Sequence, residues 1–144
     1  MDYAIGAAFG LVFLLVYGRL SRARLADAAY TVFAIMLAIY VGAHLVTSGF
    51  DRVVYEAVGA SLAIGVAMFF REKWHLGLGL LILSHGAYDF FFGHHSGIVD
   101  WYPPVCVGFN VLVGLTLTAI FRWPGKGIYP QNVTSSETPK VRGC

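Results

Sequence analysis

The sequence predicts an all-α integral membrane protein, a bundle of five transmembrane helices with its N-terminus outside and its C-terminus inside. Three observations carry that prediction. Of the 144 residues 58% are hydrophobic and 12% charged, against about 45–50% apolar and 25% charged in soluble domains. The mean hydropathy is +0.69, and the apolar residues gather in five stretches near the length of about 20 residues needed to cross a bilayer. The lysines and arginines fall almost wholly in alternate connections. Ten basic and eight acidic side chains are too few to coat a soluble enzyme or to hold a chain disordered. Two cysteines make no disulfide scaffold. The net charge of +2 forms no basic stripe of the density that nucleic acid requires.

The first span covers about residues 3–20, with Arg19 reaching to the headgroups. Met1-Asp2-Tyr3 lacks the basic start of a signal peptide and the arginines follow the apolar run, so it reads as a retained helix. The other spans cover about 28–46, 53–70, 74–93 and 104–121. Thr47-Ser48-Gly49 marks a turn after the second, and Tyr102-Pro103-Pro104 marks the start of the fifth, where the first helical turn needs no proline N–H. Strand alternation over segments of about ten residues, the mark of a barrel, is absent. Residues 1–123 form the membrane domain, and 124–144, rich in Pro, Gly, Ser and Thr, read as a flexible cytoplasmic tail.

Loop charges test this topology. With the N-terminus outside, Arg19, Arg22, Arg24, Arg71, Lys73, Arg122, Lys126, Lys140 and Arg142 lie inside and only Arg52 outside, as positive-inside asymmetry requires. A bacterial plasma membrane is the expected location. Cys106 falls near the outer face and Cys144 in the tail, so the two form no bridge. The sequon Asn132-Val133-Thr134 lies on the cytoplasmic side and is a chance match.

Ionisable groups inside a membrane are costly and by default mark function. Following the helices in and out brings them to one depth. Tyr40 and His44 lie toward the outer end of the second span, Glu56 in the first turn of the third, His85 and Asp89 in the outer half of the fourth, and Cys106 and Asn110 in the outer third of the fifth. His94, His95 and Asp100 lie in the loop above, and His75 sits with interfacial charges on the inner side. His85 and Asp89 are four apart and share a helix face, grouped with Leu81, Tyr88 and Phe92. Asp89 would then accept from one ring nitrogen of His85, fixing its tautomer. That pair suits a general acid/base or a metal ligand with its supporting carboxylate. His44, Glu56, His85, Asp89 and Asn110 are the candidate catalytic residues. His44, Glu56, His85 and Asp89 would also serve as a zinc or iron ligand set.

Each has a plainer reading. His85, Asp89 and Asn110 could form a structural polar link between helices, Glu56 could face water, and His94-His95 could be solvated. Phe90-Phe91-Phe92, Trp101 and Tyr102 read as an outer aromatic belt and Trp74 and Trp123 as the inner one. Gly6 and Gly10 form a small-xxx-small contact motif, within the chain or in a homo-oligomer. What favours a site is the shared depth on four helices, which structural links do not require.

Ser84-His85-Gly86-Ala87-Tyr88-Asp89 and Trp101-Tyr102-Pro103-Pro104-Val105-Cys106 resemble a family of short bacterial multipass membrane proteins of unknown function. That resemblance spans nearly the whole chain and implies no activity. The architecture is also similar to small lipid-modifying enzymes such as sterol isomerases and membrane terpene cyclases, an analogy at the level of fold only. Three functions stay open: an enzyme on a lipid-like or isoprenoid-like apolar substrate by acid/base or metal-assisted chemistry, with His85 as base or ligand, Asp89 orienting it and Glu56 and His44 as the opposing acid; a binding or transport module; and a structural membrane subunit. Membrane lipids are the expected partners in each.

Overall fold

The computed structural model describes residues 1–47, 50–93 and 98–123. Five helices account for nearly all of them: α1 (Asp2–Tyr17), α2 (Arg22–Thr47), α3 (Phe50–Lys73), α4 (His75–Phe92) and α5 (Tyr102–Arg122). No strand occurs among the described residues. Ser48, Gly49, His94, His95 and the whole tail with Cys144 lie outside them.

α2, α3 and α5 are long and apolar enough to cross a membrane. α1 is shorter than its expected span. It ends at Tyr17, with the Gly18 N–H bonded to the Leu14 carbonyl, and Leu20 is no longer helical. At 1.5 Å per residue its sixteen residues reach about 24 Å, below the roughly 30 Å of a hydrocarbon core. α4 has 18 residues, and His75, Ser84, His85 and Asp89 dilute its apolar character. α2 begins six residues earlier than expected, at Arg22, where a charged first turn continues the helix. α3 and α4 are separated by Trp74 alone, whose extended backbone (φ −155°, ψ 78°) turns the chain.

Small residues decide which helices meet. α5 packs most closely, against α4 on one side and α1 on the other. A Cβ on Gly6 would strike the Val105 carbonyl, and one on Gly108 would strike the Tyr3 carbonyl. The two helices therefore touch backbone to backbone, as glycine allows in membranes. The Gly6-xxx-Gly10 motif is thus used within the chain, on α5. A Cβ on Gly86 would lie 2.9 Å from Asn110 Cβ, so α4 meets α5 at the level of the polar residues. α2 pairs chiefly with α3, and α3 with α4.

The helices alternate in direction. Arg22 donates to the Trp123 carbonyl, joining the start of α2 to the end of α5. Arg71 lies 3.6 Å from Asp27 and over the Tyr30 ring at 5.1 Å, joining the end of α3 to α2. At this basic end lies an apolar core in which Phe13, Leu25, Ala26, Ala29, Phe33, Leu37, Ala67, Leu78, Ile82, Val113 and Leu117 pack together. Outward-facing positions are apolar too, including Phe9, Val12, Leu15, Ile35, Val58, Leu62, Phe69 and Leu115. Exposed apolar surface this extensive is what a lipid-facing bundle presents.

Candidate functional site

The stripes Leu25-Ala29-Phe33-Leu37 on α2, Leu78-Ile82 on α4 and Leu117-Val113 on α5 each continue into polar residues at the opposite end. α2 goes on to Tyr40 and His44, α4 to His85 and Asp89, and α5 to Asn110 and Cys106. Helical periodicity alone brings them to one level, because each residue occupies the next inward position of its stripe. His44, His85, Asp89 and Asn110 are all buried, at 2%, 8%, 1% and 0% exposure.

Asp89 is the hub. The Tyr40 hydroxyl donates to Asp89 Oδ1 at 2.5 Å, and the Asn110 side-chain amide donates to Oδ2 at 3.3 Å. Three helices are thereby tied through one carboxylate, and both of its oxygens accept from neutral donors. His85 Nε2 lies 3.8 Å from Asp89 Oδ2, beyond hydrogen-bond reach. The expected His85–Asp89 bond is therefore replaced by bonds from Tyr40 and Asn110. His85 is held instead by rings. Phe33 and Tyr40 stand in T-shaped contact with it at centroid distances of 5.5 Å and 5.8 Å, and Tyr88 stacks parallel at 6.1 Å. His85 Nε2 is a buried atom with no hydrogen-bond partner.

Glu56 pairs elsewhere. Its Oε1 lies 3.6 Å from His44 Nε2, and its side chain is 30% exposed. Glu56 and His85 meet across a cavity of about 320 Å³ lined by Leu37 and Tyr40 of α2, Tyr55, Glu56, Gly59 and Ala60 of α3, and His85 and Tyr88 of α4. All of these lie within helices, and Tyr55 and Tyr88 are exposed at 79% and 41%, so the cavity opens between helices. A larger concavity of about 440 Å³, between the end of α2 and the start of α5, has no imidazole or carboxylate in its lining among the described residues.

The five candidates do not share one cavity as expected. Glu56 and His85 line it, while Asp89 and Asn110 form the network behind Tyr40, and His44 flanks Glu56. Tyr88 and Phe92 were grouped with the His85 face; both are exposed, and the buried stripe is Leu78-Ile82-His85-Asp89. Among the described residues no three His, Cys, Asp or Glu side chains group closely enough to hold a metal ion. The set His44, Glu56, His85 and Asp89 instead divides into two pairs. His94 and His95 lie outside the described residues. Tyr40 was not among the candidates. Its signal was a buried phenol, which needs a partner for its hydroxyl, four residues before His44.

No family model matches the chain, and no curated protein or solved structure does.

Proposed function

We propose that the chain is a five-span protein of the bacterial plasma membrane, N-terminus outside and C-terminus inside, and that the 320 Å³ cavity is an enzyme site for proton transfer on a lipid-like or isoprenoid-like substrate. The alternating helices support the topology. Among the described residues Arg19, Arg22, Arg24, Arg71, Lys73 and Arg122 come to one end of the bundle and Arg52 alone to the other, which supports placing the first end in the cytoplasm. The membrane accommodates the short α1 by local thinning.

One observation carries the activity. His85, a buried imidazole with an unpartnered Nε2, faces a cavity that opens between helices. An unsatisfied buried nitrogen is costly unless something else meets it, and an occupant of the cavity that His85 lines is a candidate partner. In the proposed reaction His85 Nε2 takes a proton from one atom of the substrate and returns it at another, with no electrons gained or lost. Asp89 Oδ2 lies 3.8 Å from that same nitrogen, and a negative charge there favours the imidazolium formed in the first step. Glu56 acts as a carboxylate facing the substrate. The half of the bundle filled by Leu25, Phe33, Leu78, Ile82, Val113 and Leu117 shows no polar path to the other side among the described residues, which favours this reading over transport.

The test is reconstitution into liposomes of total bacterial lipid in deuterated water, followed by mass spectrometry of the lipids. One lipid class should gain deuterium or change isomer with the wild type. His85→Ala should lower the rate by about 10²-fold or more, the usual contribution of a general base. Identical lipid profiles from the two proteins would overturn the assignment.

A further inference from the structure

We infer that the cavity between α2, α3 and α4 takes a hydrophobic ammonium compound, its cationic head held by Glu56 among Tyr40, Tyr55 and Tyr88. This rests on the reading of the cavity as the ligand site and names the class of ligand.

The sign of charge comes first. Among the described residues Glu56 is the one charged side chain lining the cavity, and no lysine or arginine lines it. The next carboxylate, Asp89, stands one hydrogen bond behind Tyr40. An anionic headgroup would meet Glu56 with no cation to answer it, and in a low-dielectric setting that repulsion is large. His44 flanks Glu56 from the bundle interior, at 2% exposure, and does not line the cavity.

The rings point the same way. Three of the eight lining side chains are tyrosines, and an aromatic face attracts an ammonium through its quadrupole, most strongly where water is excluded. Tyrosines beside a single carboxylate recognise a diffuse cation better than a neutral polar group. His85 supplies an independent sign of an occupant: its Nε2 is buried without a hydrogen-bond partner, and the residue lines the same cavity. Leu37, Gly59 and Ala60 offer an apolar wall, and the opening between helices leads a hydrocarbon chain toward lipid. The head is therefore cationic and the remainder apolar.

The experiment uses the full chain in neutral maltoside micelles, titrated calorimetrically with hexyltrimethylammonium, tetramethylammonium and hexanesulfonate. Hexyltrimethylammonium should bind. Hexanesulfonate, of similar length and opposite charge, should not. Tetramethylammonium should bind about ten-fold more weakly than the hexyl compound if the natural ligand is an amphiphile, since the chain loses its contact with Leu37 and lipid. Equal affinity would assign the site to a free cation and overturn the lipid-like part of the inference. Glu56→Gln should weaken the hexyl compound by about ten-fold or more, the effect of one lost opposite charge near a cavity. Tyr88→Leu, at an exposed position that does not threaten folding, should weaken it several-fold while Tyr88→Phe does not, because the π face is kept. Binding of hexanesulfonate as strong as that of the cation, or Glu56→Gln and Tyr88→Leu both without effect, would overturn the inference. His85→Ala separates the two readings. Cation binding by both proteins, with no lipid turnover by the wild type either, removes the enzyme and leaves the ligand class. Turnover that needs His85, in a protein that does not bind hexyltrimethylammonium, does the reverse.

Discussion

The Tyr40 hydroxyl donates a 2.5 Å hydrogen bond to Asp89 Oδ1 and so ties α2 to α4 across 49 residues of sequence. With Asn110 on the second oxygen, this is the only way the described residues satisfy a carboxylate buried at 1% exposure. The expected consequence is that Tyr40→Phe costs about 1–2 kcal/mol, near the upper end for hydrogen bonds inside membranes, because it leaves a buried carboxylate oxygen unmet. Tyr55→Phe, at a ring 79% exposed, should cost nothing measurable. Unfolding in mixed micelles of rising dodecyl sulfate content reads both. Equal stabilities for the two variants would remove Tyr40 from the network.

The helix contacts make a second prediction. Gly108→Ala and Gly6→Ala place a methyl group against backbone carbonyls of the facing helix, atoms that cannot move aside without parting α1 from α5. Each should destabilise the bundle by about 1–3 kcal/mol, the usual penalty of overpacking. Gly42→Ala and Gly65→Ala meet nothing within 4 Å and should be neutral or slightly stabilising, since alanine is the better helix former. The same micelle titration distinguishes the sets. A neutral Gly108→Ala would mean that α1 does not sit on α5 at this register.

Much of this was legible in the sequence. Apolar runs announced five helices in order, and counting inward and outward along them brought His44, Glu56, His85, Asp89 and Asn110 to one end. Depth is readable because it depends only on rise per residue. Rotation is not readable to the same degree. His85 and Asp89 stand four apart and share a stripe, but Tyr88, three residues after His85 and one before Asp89, turns outward beside them. Which donor reaches Asp89 depends on how α2 is rotated against α4, and no local spacing encodes that. Hence Tyr40, from another helix, holds the bond that local pairing assigned to His85. The split of the supposed metal ligands has the same origin: Glu56 is rotated toward His44 of α2, away from Asp89.

Topology offers a third prediction. A reporter active only in the cytoplasm should be active when fused after Cys144 and silent when inserted at Ser96; a reporter active only outside should do the opposite. Alternation of the helices, with Arg71 and Asp27 meeting at one end and His44 and Glu56 at the other, leaves the last residues of α4 and of α5 at opposite ends of the bundle. The same side reported at both points would mean that α4 or α5 does not cross.

The last prediction concerns His85 and Asp89, whose i,i+4 spacing invites treating them as one unit. Their closest approach is 3.8 Å, whereas Asp89 is already bonded to Tyr40 and Asn110. Removing the imidazole therefore leaves the carboxylate as well satisfied as before, and His85→Ala should lose only packing against Phe33, Tyr40 and Tyr88. A double-mutant cycle with His85→Ala and Asp89→Asn should give a coupling under about 0.5 kcal/mol, while the cycle of Tyr40→Phe with Asp89→Asn should give about 1 kcal/mol or more, within the measured range for membrane hydrogen bonds. The asymmetry matters for function. A histidine strongly coupled to Asp89 in the resting protein would be a structural strut, its nitrogen already committed. A weakly coupled one keeps Nε2 available to whatever enters the cavity, and its coupling to Asp89 should appear only when the ring carries a proton. A large His85–Asp89 coupling in the empty protein, equal to that of Tyr40, would return both residues to the scaffold.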